Sequence, residues 1–205
     1  MANEKQRENI LKLVQLAILT ALVRVLQALG SFIKIGPLPM SFVLVPIVIG
    51  ACLLGTKSGT FLGFVFGFIT MLMGVLGADG FSLLLFEANP VWFIILCLLK
   101  ATAAGFASGL VYRLLEKAFK GKKKLLQTIL ASITAPIVNT GIFVVGMLLF
   151  FLPTAEALRG DYANAVQFVF LGLAGFNFIG EFVVNLVLSP AIVRIIDAVK
   201  KKLHF

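Results

Sequence analysis

Six apolar stretches of near-spanning length constrain the fold of this 205-residue chain more than any other feature. A helix of about 20 apolar residues crosses a hydrocarbon core of roughly 30 Å. The predicted spans are residues 10–30, 40–54, 59–76, 91–115, 125–152 and 166–196. The sequence therefore predicts an all-α, polytopic membrane protein, a bundle of six transmembrane helices. No polar insertion separates the spans, so residues 1–205 are interpreted as a single domain.

The composition argues against a soluble globule. Hydrophobic residues make up 60% of the chain and charged residues 13%, which leaves too little polar side chain to cover a water-exposed surface. The second span departs from the simple pattern because it is short and follows two prolines. Pro37, Pro39 and Pro46 predict an irregular entry that must be shielded by protein rather than exposed to lipid.

The distribution of positive charge predicts the orientation. The net charge of +9 does not indicate nucleic-acid binding, because the basic residues lie at the ends of apolar stretches. They precede the first span, occupy the second and fourth connections and close the chain: Lys5, Arg7, Lys12, Lys57, Lys117, Lys120, Lys122, Lys123, Lys124, Lys200, Lys201 and Lys202. The other connections hold only Lys34 and Arg159. The positive-inside rule therefore predicts that both termini are cytoplasmic.

The motifs of common enzyme classes are missing from the sequence. The chain has one histidine, His204, and neither a Gly-x-Ser-x-Gly elbow nor a Gly-x-x-x-x-Gly-Lys phosphate loop. Cys52 and Cys97 fall within spans and are interpreted as small buried hydrophobes rather than a disulfide or a metal pair. Neither enzymatic activity nor a metal site is predicted.

Small residues recur every four positions along the third and fourth spans. They are Gly55, Gly59, Gly63 and Gly67, followed by Ala101, Gly105 and Gly109. This spacing places them on one helix face and permits close approach of two backbones. They are predicted to serve helix packing inside this chain. Ala17 and Ala21 form a similar pair on the first span.

Polar residues inside the spans are the functional candidates, because such groups are costly in lipid. Lys100 lies within the fourth span, Asn139 near the middle of the fifth, and Asn177, Glu181 and Asn185 follow at intervals of four on the sixth. Their positions predict a small polar pocket that binds a ligand. A Lys100–Glu181 ion pair with the amides as interhelical hydrogen bonds is the alternative without a ligand. Glu181 beside Lys100 also fits a carrier that works alone and couples to protons or ions.

Three further residues of the spans and their connections are singled out. Asn89 and Trp92, where the third connection meets the fourth span, are candidates for ligand contact, although Trp92 also fits an ordinary interfacial aromatic. Arg24 is interpreted as an anchor that extends toward the membrane surface. The third connection, residues 74–90, is rich in glycine and is predicted to fold over the mouth of the pocket as a lid.

Four short motifs are moderately specific in combination. They are Ala17-x-x-x-Ala21, Val45-Pro46-Ile47-Val48-Ile49-Gly50, Leu53-Leu54-Gly55-Thr56-Lys57-Ser58-Gly59 and Pro136-Ile137-Val138-Asn139-Thr140. With them, nearly the whole chain resembles the substrate-binding S components of energy-coupling factor (ECF) vitamin transporters. The resemblance implies a location in a prokaryotic plasma membrane. It also implies that Ala17 and Ala21 contact the energy-coupling transmembrane subunit.

Within that family, the chain is most similar to the pantothenate-type branch. That branch has a basic residue in the fourth span and an Asn-Thr pair in the fifth, here Lys100 and Asn139-Thr140. The resemblance implies a small water-soluble vitamin as ligand: pantothenate first, then riboflavin or a pyridoxal-type vitamin, with folate and thiamine in related branches. The expected basic residue is arginine, and a lysine in its place lacks the bidentate geometry that suits a carboxylate.

The resemblance also implies a mechanism. The S component captures the vitamin from outside, docks on the energy-coupling subunit and topples so that its site opens inward. Two ATPase subunits use ATP to drive the cycle, so no cofactor is expected on this chain.

Overall fold

The computed structural model describes residues 2–30, 34–35, 38–39, 42–120 and 122–203. Its helices are α1 (Ala2–Gly30), α2 (Leu44–Leu53), α3 (Thr56–Val75), α4 (Gly80–Ala88), α5 (Pro90–Ala118), α6 (Lys124–Phe150), α7 (Leu152–Leu158), α8 (Ala165–Gln167) and α9 (Phe176–Leu203). A π-helical segment, Phe168–Gly175, joins α8 to α9. Two short strands, β1 (Lys34–Ile35) and β2 (Leu38–Pro39), pair antiparallel between α1 and α2, with Ile35 opposite Leu38.

Within the described part of the chain, five helical stretches are long and apolar enough to cross a membrane. They are Gln6–Gly30, Thr56–Val75, Pro90–Ala118, Lys124–Phe150 and Ala165–Val199. The last combines α8, the π-helical segment and α9 in one continuous span. Large apolar side chains such as Leu13, Leu149 and Val187 are more than half exposed on the outer surface of the bundle, which suits contact with lipid. The predicted helical membrane bundle is confirmed.

The second predicted span is shorter than residues 40–54. Its helix α2 has ten residues, Leu44–Leu53, about 15 Å at the usual rise. Met40 and Pro37 lie outside the described residues, and Pro39 ends the short strand β2. Pro46 falls in the first turn of α2, where its missing N–H removes no helical hydrogen bond. Nearly all of α2 is buried, so protein shields the helical part of this segment, and the shielding of its entry stays a prediction.

The connection between the third and fourth spans is largely helical rather than an open glycine-rich loop. Helix α4 occupies Gly80–Ala88 and begins at Asp79, whose Oδ2 accepts a hydrogen bond from the Ser82 backbone N–H at 3.0 Å. An aspartate in this position satisfies an amide that has no helical acceptor. Phe81 and Leu85 of α4 are buried in an apolar cluster with Phe93 of α5. The predicted lid is therefore a packed helix.

The two described ends of the chain lie at the same end of the bundle. Lys12 of α1 lines a surface cavity together with Gly55 and with Arg113 of α5. At the start of α6, Lys124 Nζ lies 2.6 Å from Asp197 Oδ1 near the end of α9. We call this end of the bundle the basic end. Its location on the cytoplasmic side stays a prediction.

Helices α3 and α5 pack through their backbones. A Cβ atom added at Gly63 would overlap the carbonyl oxygen of Ala101, and one added at Gly105 would overlap that of Gly59. Only glycine permits this separation, because any side chain would force the two helices apart. The predicted packing role of the small-residue stripes is confirmed.

Replacement of Gly63 by alanine is expected to destabilise the protein by about 1–3 kcal/mol, because α3 must move away from α5 to accept the methyl group. Gly141→Ala is the matched control. Gly141 lies within α6, and no described atom other than its helix neighbours lies within 4 Å of a Cβ added there. Melting temperatures of the two purified variants in detergent measure the difference. Equal melting temperatures would contradict the close packing of α3 on α5.

Candidate ligand-binding site

A cavity lies inside the bundle, on the side of the membrane-spanning helices away from the basic end. Its volume is about 100 Å³, which leaves room for a small polar ligand or several waters. Much of its wall is aromatic, from Phe66, Phe81, Phe93 and Phe143. The polar side chains of its wall that are candidates for ligand contact are Lys100, Asn139, Thr140, Asn177 and Glu181. The structure thus brings Lys100, Asn139, Asn177 and Glu181 together around one space.

Lys100 is placed in the cavity by the middle of α5. Its Nζ lies 5.1 Å from the centre of the Phe143 ring, within the range of a cation–π contact. Glu181 and Asn139 line the same cavity. Among the described residues, however, Lys100 forms no ion pair within 4.0 Å. Its ammonium is therefore available to a ligand.

The inner face of α9 supplies the amide and the carboxylate. Asn177, Glu181 and Asn185 are 7%, 5% and 0% exposed, so the predicted single helical face is confirmed. Asn177 and Glu181 line the cavity, whereas Asn185 lies one turn further toward the basic end. The Asn177 Nδ2 donates to the Leu173 carbonyl at 3.2 Å. Leu173 belongs to the π-helical segment, a form that is common at functional sites.

Three acceptor atoms in the cavity have no hydrogen-bond partner among the residues that the structure describes. They are Asn139 Oδ1, Asn177 Oδ1 and Glu181 Oε2. Buried polar atoms in proteins are nearly always satisfied, and an unsatisfied one costs about 1–3 kcal/mol. A ligand that donates hydrogen bonds to these atoms and presents a negative charge to Lys100 would satisfy the site.

Several lining residues were not among the sequence candidates. Gln27, Asp79 and Ser82 line the cavity from α1 and from the start of α4. A signal for Gln27 was available, because it follows the buried Leu19 and Val23 at intervals of four on α1. Asp79 and Ser82 could be recognised from the helix-capping spacing, but only once a helix is assumed there.

Asn89 and Trp92 do not line the cavity. Asn89 caps α5, and its Oδ1 accepts a hydrogen bond from the Trp92 backbone N–H at 3.4 Å. The Trp92 indole stacks on Phe150 of α6, with ring centres 3.6 Å apart and planes 10° from parallel. In this arrangement both residues organise the start of α5 rather than the wall of the cavity.

Ala17 and Ala21 lie on the outer face of α1. Both are exposed, whereas Leu19 and Val23 on the opposite face are buried in the core. The exposed alanines leave a shallow strip between larger apolar neighbours such as Ile18. Such a strip permits a second helix to approach closely.

Comparison with known proteins identifies the family. The family model for the substrate-specific component of ECF transporters matches residues 11–193. The fold is similar to a solved structure of ThiT from Listeria monocytogenes, with a TM-score of 0.66 and 20% sequence identity over 96% of this chain and 98% of that chain. A search of curated proteins finds no match. The match to the family model covers most of the chain, so this protein belongs to the substrate-specific components of ECF transporters.

Proposed function

We propose that this chain binds a small water-soluble vitamin that carries a carboxylate, with pantothenate the first candidate. The observation that carries the proposal is the position of Lys100, a cation without an ion-pair partner within 4.0 Å among the described residues. It shares the cavity with the unpartnered acceptor atoms of Asn139, Asn177 and Glu181. A charge-assisted hydrogen bond from an ammonium to a carboxylate is strong where the protein shields it from bulk water.

Pantothenate complements this set of groups. Its carboxylate suits Lys100, and its two hydroxyls and amide N–H are donors for the Asn139, Asn177 and Glu181 oxygens. Its branched apolar carbons suit the aromatic wall of Phe66, Phe93 and Phe143. Riboflavin and pyridoxal-type vitamins are the next candidates because they also present several hydrogen-bonding groups, but they lack a carboxylate for Lys100.

The remaining steps of transport belong to partners in this proposal. The chain captures the vitamin in a prokaryotic plasma membrane and docks through Ala17 and Ala21 on an energy-coupling transmembrane subunit. Toppling on that subunit turns the site inward, and two ATPase subunits supply the energy. The exposed alanine strip of α1 supports this docking mode, because small residues permit close helix approach.

The decisive experiment identifies the small molecule that copurifies with the protein. Mass spectrometry of the denatured, purified protein is expected to detect pantothenate. Calorimetric titration of ligand-free protein with pantothenate, riboflavin, pyridoxine and thiamine then ranks affinities, with pantothenate expected to bind most tightly. Tightest binding of thiamine, a cation, with dependence on Glu181 but not on Lys100 would overturn the carboxylate assignment.

A stand-alone ion- or proton-coupled carrier is the second candidate function. The observation in its favour is Glu181, a carboxylate that is 5% exposed within a spanning helix and shares the cavity with Lys100. Proteoliposomes that contain only this chain distinguish the two functions. Binding without uptake supports the vitamin-binding subunit, whereas uptake driven by an ion gradient supports the carrier.

A further inference from the structure

A second group of polar side chains is buried in the bundle between the cavity and the basic end. We call it the inner polar cluster, and its members come from α5, α6 and α9: Ser108, Gln127, Thr128, Ser132, Asn185 and Ser189. All six are 0% exposed. None of them lines the ligand cavity, so the proposed ligand does not account for them.

Two pairs of residues fix the depth of this cluster. On the side of the basic end, Lys124 of α6 pairs with Asp197 of α9. On the side of the cavity, Asn139 of α6 and Glu181 of α9 both line the cavity wall. Because the two helices run antiparallel between these points, the cluster members of α6 and α9 lie between the ion pair and the cavity. Ser108 joins α5 to the same region, since its Oγ donates to the Ala131 carbonyl of α6 at 2.8 Å.

Part of the cluster is satisfied by the protein itself. Asn185 Nδ2 donates to the Glu181 carbonyl at 2.8 Å, and Ser189 Oγ donates to the Asn185 carbonyl at 2.7 Å. Five other atoms have no hydrogen-bond partner in the described ranges: Gln127 Nε2, Gln127 Oε1, Thr128 Oγ1, Ser132 Oγ and Asn185 Oδ1. The Ser132 carbonyl also lacks its usual helical donor, because Pro136, one turn later, has no N–H to donate to it.

The chemistry of these atoms favours water over an ion. The side chains of the cluster carry hydroxyl and amide groups, which both donate and accept hydrogen bonds. A water molecule satisfies two to four such groups at once. A bound cation would require compensation of its charge, but the cluster contains no carboxylate, and Lys124 lies at its basic end. Left unsatisfied, each buried group would destabilise the folded protein.

We propose that the inner polar cluster is an internal water-binding site that extends from the wall of the cavity toward the basic end. Asn185 is the point of contact between the two regions. Its Nδ2 bonds to the Glu181 carbonyl while its Oδ1 is unpartnered by any described residue. Water bound at Asn185 lies on the side of the cavity wall that faces away from the ligand. It therefore helps to position Glu181 and Asn139.

Cysteine accessibility to silver ions tests this site without any vitamin. Ser132→Cys and Thr128→Cys introduce thiols into the cluster with little change of volume. Val23→Cys is the matched control, because Val23 is also 0% exposed but lies in an apolar cluster on α1, a helix that contributes no member to the inner polar cluster. The purified variants are treated with Ag⁺, and peptide mass spectrometry reads each thiol separately from the native Cys52 and Cys97.

The two cluster thiols are expected to react at least about tenfold faster than the control, because Ag⁺ enters hydrated sites far more readily than dry ones. Equal rates at all three positions, or no reaction at any, would overturn the proposal. Protection of the cluster thiols by Na⁺, relative to an equal concentration of choline, would identify a cation site instead.

A measurement on the unmodified chain covers the case in which the variants fail to fold. X-ray radiolysis in isotopically labelled water oxidises side chains that touch bound water. Pro136, which is buried and one turn from Ser132, is expected to incorporate the label. Ile47 and Leu62, both 0% exposed in the apolar cluster, are the dry controls. Failure of Pro136 to exceed these controls would show that the cluster is dry.

Discussion

Replacement of Lys100 by methionine is expected to weaken ligand binding by about 10- to 100-fold, because the ligand loses one hydrogen bond to a charged group. Methionine has nearly the length of lysine and fills the same space beside Phe143, so the change removes the charge and little of the packing. Lys100→Arg keeps the charge and is expected to retain most of the affinity. Calorimetric titration with the vitamin that copurifies with the protein provides the measurement.

Arg24→Met is the matched control for the loss of a cation. Arg24 is exposed on α1 and does not line the cavity, so its removal is expected to leave the affinity unchanged. Asn139→Ala should also weaken binding, because Asn139 Oδ1 is one of the acceptor atoms in the cavity. If folded Lys100→Met and Asn139→Ala proteins both bound the vitamin as tightly as wild type, the site assignment would be wrong.

A tryptophan at Ala17 or Ala21 is expected to abolish vitamin uptake by the assembled transporter while vitamin binding by the isolated chain stays unchanged. Both alanines are exposed, so the indole fits the isolated chain without a clash. It would nevertheless hold a partner helix away from the alanine strip, where close contact depends on small side chains. Uptake of radiolabelled vitamin by cells measures the first effect, and titration of purified protein measures the second.

Val145→Trp is the control for this pair of variants. Val145 is 55% exposed on α6, so the substitution adds an exposed indole to a different helix. It is expected to leave both uptake and binding intact. Normal uptake by Ala17→Trp and Ala21→Trp would show that docking does not use this strip, and loss of binding would show that the substitutions damage the chain itself.

The long helices and much of the site could be predicted because both depend on local spacing. Apolar length predicts six spans, of which five are helices long enough to cross a membrane in the described part of the chain. Intervals of four place Asn177, Glu181 and Asn185 on one buried face of α9. Since antiparallel neighbours bring their middles to similar depth, Lys100 and Asn139 follow from their positions along the chain.

Features that depend on tertiary contacts were not predictable in the same way. The shortness of α2 is tolerated only because other helices bury it, and hydropathy alone does not reveal such shielding. Helix α4 was predicted as a loop because its segment is rich in glycine. Its capping residue Asp79 is a recognisable signal only when the helix is already assumed. Trp92 stacks on Phe150, a partner 58 positions away in sequence, so its role in packing the start of α5 depends on how α5 and α6 meet.

The π-helical segment Phe168–Gly175 determines the direction in which the later side chains of the last span project from the helix axis. A π-helical turn holds more residues than an α-helical turn, so the direction in which Asn177 and Glu181 project depends on how many residues are wound this way. Deletion of one residue within the segment would rotate both side chains by about 100° about the helix axis and carry them away from Lys100. The composition of the pocket is therefore controlled by the length of an apolar segment as well as by the identity of its polar residues.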